Sequence, residues 1–173
     1  MTTNETPVWC INAGKGGSEH KADDVRRLFL NCCYIAVGWA ELGDLTVLVN
    51  DRERLKARLK QEWTDYDNAG LGQAATALVD FVHEMQIGDI VVYRPGGGQE
   101  VHLGRVAGPY IYNPRLDTWY PHVRPVVWRT EILANRDLSE QARNVFTIPR
   151  SLSHVWQGRE EFQAAIMKAE QPA

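Results

Sequence analysis

Few side chains in this sequence stand where they could do covalent chemistry. Glu19-His20-Lys21 has the Glu-x-Lys of a metal-dependent nuclease, but no aspartate precedes it and it falls in an expected loop. Gly14-Lys15-Gly16-Gly17-Ser18 is glycine-rich, yet a phosphate loop ends in Gly-Lys-Ser/Thr before a helix, and here Lys15 runs into two glycines. Cys10 is a thiol without an identifiable base partner. Cys32 and Cys33 are neighbours and cannot chelate tetrahedrally, and no Cys-x-x-Cys or His-x-x-x-His is present. Neither a metal nor a cofactor is expected. His83, His102, His122 and His154 are scattered and read as structural or surface residues. The chain is therefore not expected to be an enzyme. What the sequence supplies in quantity is rings and cations. Trp9, Tyr34, Trp39, Tyr93, Trp119, Tyr120 and Trp128 offer faces on which a planar group can stack. Lys15, Arg94, His102, Arg105, Arg115, Arg124 and Arg129 alternate with apolar residues and would put several cations on one outer face, as a track for phosphates. The competing reading of that face is a solvated, mixed-charge surface.

The elements that must position these groups centre on residues 81–112. Gly88-Asp89 makes a tight turn, because glycine tolerates positive φ and aspartate bonds the backbone just ahead. Residues 90–93, Ile-Val-Val-Tyr, are a strand. Pro95-Gly96-Gly97-Gly98 breaks it, and 101–106 returns as its hairpin partner, with Gly104 suiting a bend or a close backbone approach. Upstream, 8–13 and 34–39 read as strands, the second ending in Gly38-Trp39 at a rim. Asp51 caps a charged helix carrying Leu55 and Leu59 on one side. Residues 70–85 form the longest helical pattern, with Leu71, Ala75, Leu78, Val82 and Met85 at a 3.6 period. Downstream, 123–130 is strand-like, and Pro125 places it at an edge or bulge. Ser139 caps a short helix, 149–152 is a turn, and 160–169 is a terminal helix with Phe162 and Ile166 inward.

Length and composition fit this frame. A chain of 173 residues with 44% hydrophobic and 24% charged residues reads as one globular domain over 1–173, with 1–7 and 170–173 frayed. Short apolar runs interrupted by charge argue against a membrane span. The N-terminus lacks the basic-then-apolar pattern of a secretion signal, and three cysteines, two adjacent, suit a reducing compartment, so a cytoplasmic protein is expected. A formal net charge of −3 argues against reliance on non-specific phosphate contacts. About five or six short strands with helices between them indicate a strongly curved sheet or barrel of the α+β class.

The order of motifs carries a resemblance. Trp9 lies on the first strand, Val37-Gly38-Trp39 ends the second, and a helical insert follows. Then come Gly88-Asp89-Ile90-Val91-Val92-Tyr93, Leu103-Gly104-Arg105-Val106-Ala107-Gly108, and Tyr120-Pro121-His122-Val123-Arg124-Pro125-Val126-Val127-Trp128. Over residues 8–155 this resembles the PUA-like superfamily, close to EVE domains. It is similar to the N-terminal modules that precede nuclease domains in modification-dependent restriction proteins. The resemblance implies a curved β-barrel flanked by helices, and a pocket that accepts a flipped, modified base. It implies modified double-stranded DNA as partner, with 5-methyl- or 5-hydroxymethylcytosine as the base and a nuclease domain or subunit as effector. The related YTH branch reads methylated adenine in RNA, so RNA is the alternative polymer, and a protein-interaction adaptor is the alternative class. Extruding a base costs a few kcal/mol of stacking and pairing. A buried methyl group contributes only about 0.8 kcal/mol, whereas stacking on an aromatic ring contributes ~1–3 kcal/mol. The expected pocket is therefore snug and aromatic. Trp39 ranks first for it, followed by Trp9, Tyr34, Tyr93 and Trp119, with Asn12 and Asp44 and the backbone near Ala13 and Ala40 bonding the base edge. For each ring the competing role is core packing, and for Asn12 it is a strand-end turn.

Overall fold

The computed structural model describes residues 6–12 and 22–171. It is a mixed α+β fold built on one curved, open sheet of seven strands. In chain order the strands are β1 (Val8–Ile11), β2 (Tyr34–Val37), β3 (Ile90–Tyr93), β4 (Glu100–Val106), β5 (Ile111–Tyr112), β6 (His122–Ala134) and β7 (Leu152–His154). They lie side by side as β2-β6-β4-β3-β1-β7, with β5 added to β6. The expected hairpin forms: β3 and β4 run antiparallel, with Ile90 opposite Arg105 and Tyr93 opposite His102. β1 lies parallel to β3, and β7 antiparallel to β1. The seven strands exceed the expected five or six because β5 and β7 are two and three residues long and carry no alternation of their own.

Helix α1 (Ala22–Arg26) continues through a π-helical turn to Asn31. α2 is Arg52–Glu62, α4 is Glu140–Asn144 and α5 is Arg159–Glu170. α3 (Asn68–Val79) also continues through a π-helical turn, to Glu84. The caps follow the sequence: Asp51 accepts from Arg54 N–H and Ser139 from Ala142 N–H. Asp67, which the sequence reading passed over, accepts from Gly70 N–H at 2.7 Å and so starts α3 two residues earlier than expected.

Period-2 alternation sorts the strand residues onto two faces. Trp9 and Ile11 of β1 and Val91 and Tyr93 of β3 join Ile35 and Val37 of β2 and Leu78 of α3 in one apolar cluster. β1 and β2 stand near opposite ends of the sheet, so sharing a cluster requires the sheet to curl around it. Val8, Cys10, Ile90, Val92, Val101 and Leu103 face the other way, onto Phe146, Phe162 and Ile166. Both faces are therefore covered. The curl is helped by a bulge in the β4–β6 ladder between His102 and Gly104. A Cβ on Gly104 would sit 2.6 Å from Val126 Cγ1 and 2.8 Å from Trp128 Cε3, the close approach expected there.

Pro125 corrects one expectation: it lies inside the sheet, in β6, and not at an edge. β6 pairs with β2 through residues 122–125 on one side and with β4 from Val126 onward on the other. The Pro125 carbonyl accepts from Ala107 N–H, just past the end of β4, and the chain leaves at Gly108, against the proline ring. The missing proline N–H thus faces the place where the neighbouring strand has ended, and no ladder bond is lost.

Candidate functional site

Trp39 stands out by its backbone. It has φ 65° and ψ 42°, the left-handed region, one of two non-glycine residues with positive φ among those described. For a bulky side chain this conformation is costly, about 1–2 kcal/mol, and it persists only where the surroundings impose it. Here the surroundings do so by hydrogen bonds. The Trp39 carbonyl accepts from Leu42 N–H at 3.1 Å, which opens the short turn Ala40–Leu42. It also faces His122 Nε2 at 3.2 Å. A carbonyl only accepts, so Nε2 carries the proton and Nδ1 is an acceptor. Nδ1 lies 2.9 Å from the Tyr110 hydroxyl, which donates to it and in turn accepts from Leu45 N–H at 3.2 Å. Burial pushes Tyr110 up to about 12, so the hydroxyl keeps its proton. His122 has no exposed surface; burial lowers its pKa below the usual 6.5, against the opposing pull of the Trp39 carbonyl and the Asp44 charge. The neutral imidazole therefore closes a chain from Leu45 through Tyr110 to the Trp39 backbone.

Trp39 borders a cavity of about 230 Å³ whose other walls come from α3 and the residues before it and from the segment before β7. Tyr66, Gln73 and the small residues Gly70, Ala74 and Ala77 form the helix side, and Pro149, Arg150 and Ser151 the other. Tyr66 is stacked on Trp63, with centroids 6.2 Å apart and planes at 22°. The 149–151 wall is tied to β1 by Asn12. Its amide Nδ2 donates to the carbonyls of Ile148 (3.2 Å) and Arg150 (3.0 Å), and its N–H to that of Ser151 (2.9 Å). A second cavity, about 800 Å³, shares Gln73, Ala77 and Arg150 with the first and runs on between α3 and β7. Arg150 is exposed at the border and has no ion pair among the described residues.

Of the residues chosen from the sequence, Trp39 alone borders the smaller cavity. Asn12 serves it indirectly: its amide is spent on the 148–151 backbone and positions that wall. Tyr93 is a core residue, 2% exposed, between Phe29 and Trp128, and burial pushes its hydroxyl up to about 12. Trp9 is 4% exposed; its indole N–H donates to Asp89 Oδ2 at 2.8 Å, and it meets His154 edge-on beside the larger cavity. Tyr34 stands at the opposite end of β2 from Trp39, paired with Pro125. Asp44 is exposed and bonds Thr46 through both its N–H and its hydroxyl, and these bonds lower its pKa. Trp119 is 46% exposed, with its backbone beside Gly38.

Among the described residues the expected cationic face does not assemble. Arg124 is buried, and its guanidinium donates to the carbonyls of Phe81 (2.7 Å), Val82 (2.9 Å) and Gly108 (3.2 Å). Arg105 grips Glu170 with Nε at 2.6 Å and Nη2 at 2.9 Å, and Arg129 pairs with the same carboxylate. Arg94 lies over the Phe146 ring at 5.1 Å, on the α5 side of the sheet. His102 is buried beside Glu100, and desolvation lowers its pKa. Arg115 remains exposed in the loop before Trp119. Lys15, Ala13 and Glu19-His20-Lys21 lie outside the described residues.

Cys10 is buried, and desolvation pushes its thiol up to about 12, which suits packing and not nucleophilic attack. Among the described residues no group of three or more His, Cys, Asp or Glu side chains could hold a metal ion, and no helix is long and apolar enough to cross a membrane. Sequence reasoning missed Tyr66, Gln73, Arg150 and His122. The available signal was the run 69–77 in α3, where Gly70, Ala74 and Ala77 recur at helical spacing and leave room around Gln73. No curated protein matches the chain. Residues 9–149 match the family described as Domain of unknown function (DUF8426), and the chain belongs to that family.

Proposed function

We propose that this protein is a PUA-like, EVE-like reader of modified DNA. It takes a flipped base, 5-methyl- or 5-hydroxymethylcytosine, into the cavity beside Trp39, and serves as the specificity module of a restriction or defence system. The observation that carries this reading is Trp39 itself. A large aromatic residue is held in a costly left-handed backbone by a buried histidine, in the lining of a cavity sized for less than a drug-like ligand, for which ~300–1,000 Å³ is usual. The other walls suit a base. Tyr66 adds a second ring. The Gln73 amide has both donor and acceptor atoms, as a cytosine edge requires. Arg150 supplies a cation at the mouth for the phosphate, and the small face of α3 leaves room for the added methyl or hydroxymethyl group. The nuclease that acts on the recognised DNA belongs to another part of the protein or to a separate chain.

A competition assay tests the reading. Labelled duplex carrying one modified cytosine is displaced by unlabelled modified duplex, by the same duplex unmodified, and by RNA of the same sequence. Modified duplex should compete at least about tenfold better than either, the ratio that 1.4 kcal/mol of pocket contacts gives. Equal competition by plain duplex, or better competition by RNA, contradicts it.

A further inference from the structure

Trp156 has no part in the Trp39 cavity, yet it is 70% exposed, against 46% for Trp119. It follows the edge strand β7 and packs on His154, with centroids 4.1 Å apart and planes at 41°. His154 in turn meets Trp9 edge-on at 4.8 Å, and Trp9 is fixed by its bond to Asp89. Burial lowers the His154 pKa, which favours a neutral ring in this stack. Trp156 is thus an exposed ring supported from one side by residues anchored in the core, with its remaining surface open to the solvent. Such a supported ring is a stacking platform, and its preorganisation lowers the ordering cost of binding.

The platform borders the larger cavity, about 800 Å³, which shares Gln73, Ala77 and Arg150 with the Trp39 cavity. The lining of this cavity is mixed: Arg52, which donates to Thr76 Oγ1 at 2.6 Å, and Asn68 are polar, and Leu152 and Ile148 are apolar. The volume is several times what the first cavity provides, and the cation between the two belongs to both.

We propose that this larger cavity is a second nucleotide subsite. The nucleotide next to the flipped base on the same strand stacks on Trp156, and the phosphate joining the two is held by Arg150. The inference rests on the base-reading function above and adds to it that the protein draws two consecutive nucleotides out of the helix. Non-sequence-specific stacking on Trp156 would then supply affinity, while the Trp39 cavity supplies discrimination.

The test uses the full chain, Trp156→Ala and Trp39→Ala, with duplexes carrying one modified cytosine and an abasic site at either neighbouring position in turn. Trp156→Ala should bind intact modified duplex roughly five- to a hundredfold more weakly, the range for loss of one base–aromatic stack. It should keep the wild-type ratio of modified to plain affinity. At one of the two positions the abasic change should weaken binding by the wild type more than it weakens binding by Trp156→Ala, a difference that a double-mutant cycle isolates from the general easing of extrusion. Circular dichroism should show Trp156→Ala folded, as its exposure requires. If Trp39→Ala loses the preference for modified DNA while Trp156→Ala binds like wild type and both respond equally to abasic sites, the second subsite is overturned and base reading stands. If the wild type itself shows no preference for modified DNA, both are overturned.

Discussion

Trp39→Ala will bind modified duplex about tenfold to a hundredfold more weakly than the wild type, since it removes a stacking surface of ~1–3 kcal/mol. Plain duplex will be affected less, because only a flipped base uses the cavity. The ring is partly buried and packs against the core, so some folding stability goes with it. Binding titrations with both duplexes, run beside a urea denaturation curve, separate the two effects. A folded Trp39→Ala protein that keeps its preference for modified DNA would show that the ring is packing and that the base is read elsewhere.

Arg124→Ala will destabilise the fold by about 3–5 kcal/mol, the largest loss expected from any single arginine. The guanidinium reaches from the interior strand β6 to the carbonyls of Phe81 and Val82, in the π-helical turn that ends α3, and to Gly108 where the chain leaves β4. Removing it strands buried acceptors at ~1–3 kcal/mol each and takes a cation from the negative end of a helix. Burial lowers the Arg124 pKa, against the opposing charge of Asp89. The side chain is therefore a clamp between α3, which walls both cavities, and the sheet. DNA affinity at temperatures where the variant remains folded should change little, and its salt dependence should match the wild type. A steep fall in affinity with unchanged stability would restore Arg124 as a phosphate contact.

The β3–β4 hairpin was legible because β-branched residues flank Pro95-Gly96-Gly97-Gly98, and α3 because its apolar residues keep a 3.6 period. Both signals are local. The roles of the rings and cations were not legible, for a reason visible in β1: all four of its residues are buried, so alternation does not separate a wet face from a dry one. Arg94 and Arg124 sit on opposite faces of the sheet, and each face is covered, by α5 and its neighbours on one side and by α3 on the other. Trp9, Tyr93 and Trp39 all lie on or after strands and differ only in what is brought against them. For Trp39 that is Gln73 of α3 and a wall more than a hundred residues away, tied back by Asn12. His122 looked like one scattered histidine among several, because its partners Trp39 and Tyr110 come from separate stretches of chain. Gly38-Trp39 was singled out by type and position, but its left-handed backbone is set by tertiary contacts and leaves no mark in the sequence.

Base extrusion is the core of the account, and a fluorescent base analogue measures it most directly. 2-Aminopurine, placed on each side of the modified cytosine in turn, is quenched while stacked and, on the side that does not stack on Trp156, brightens when its neighbour leaves the helix. Saturating wild-type protein should raise the emission of the modified duplex, with Trp39→Ala and the unmodified duplex giving little rise at equal occupancy. Tight binding of the modified duplex by wild-type protein with no rise in emission would contradict the account.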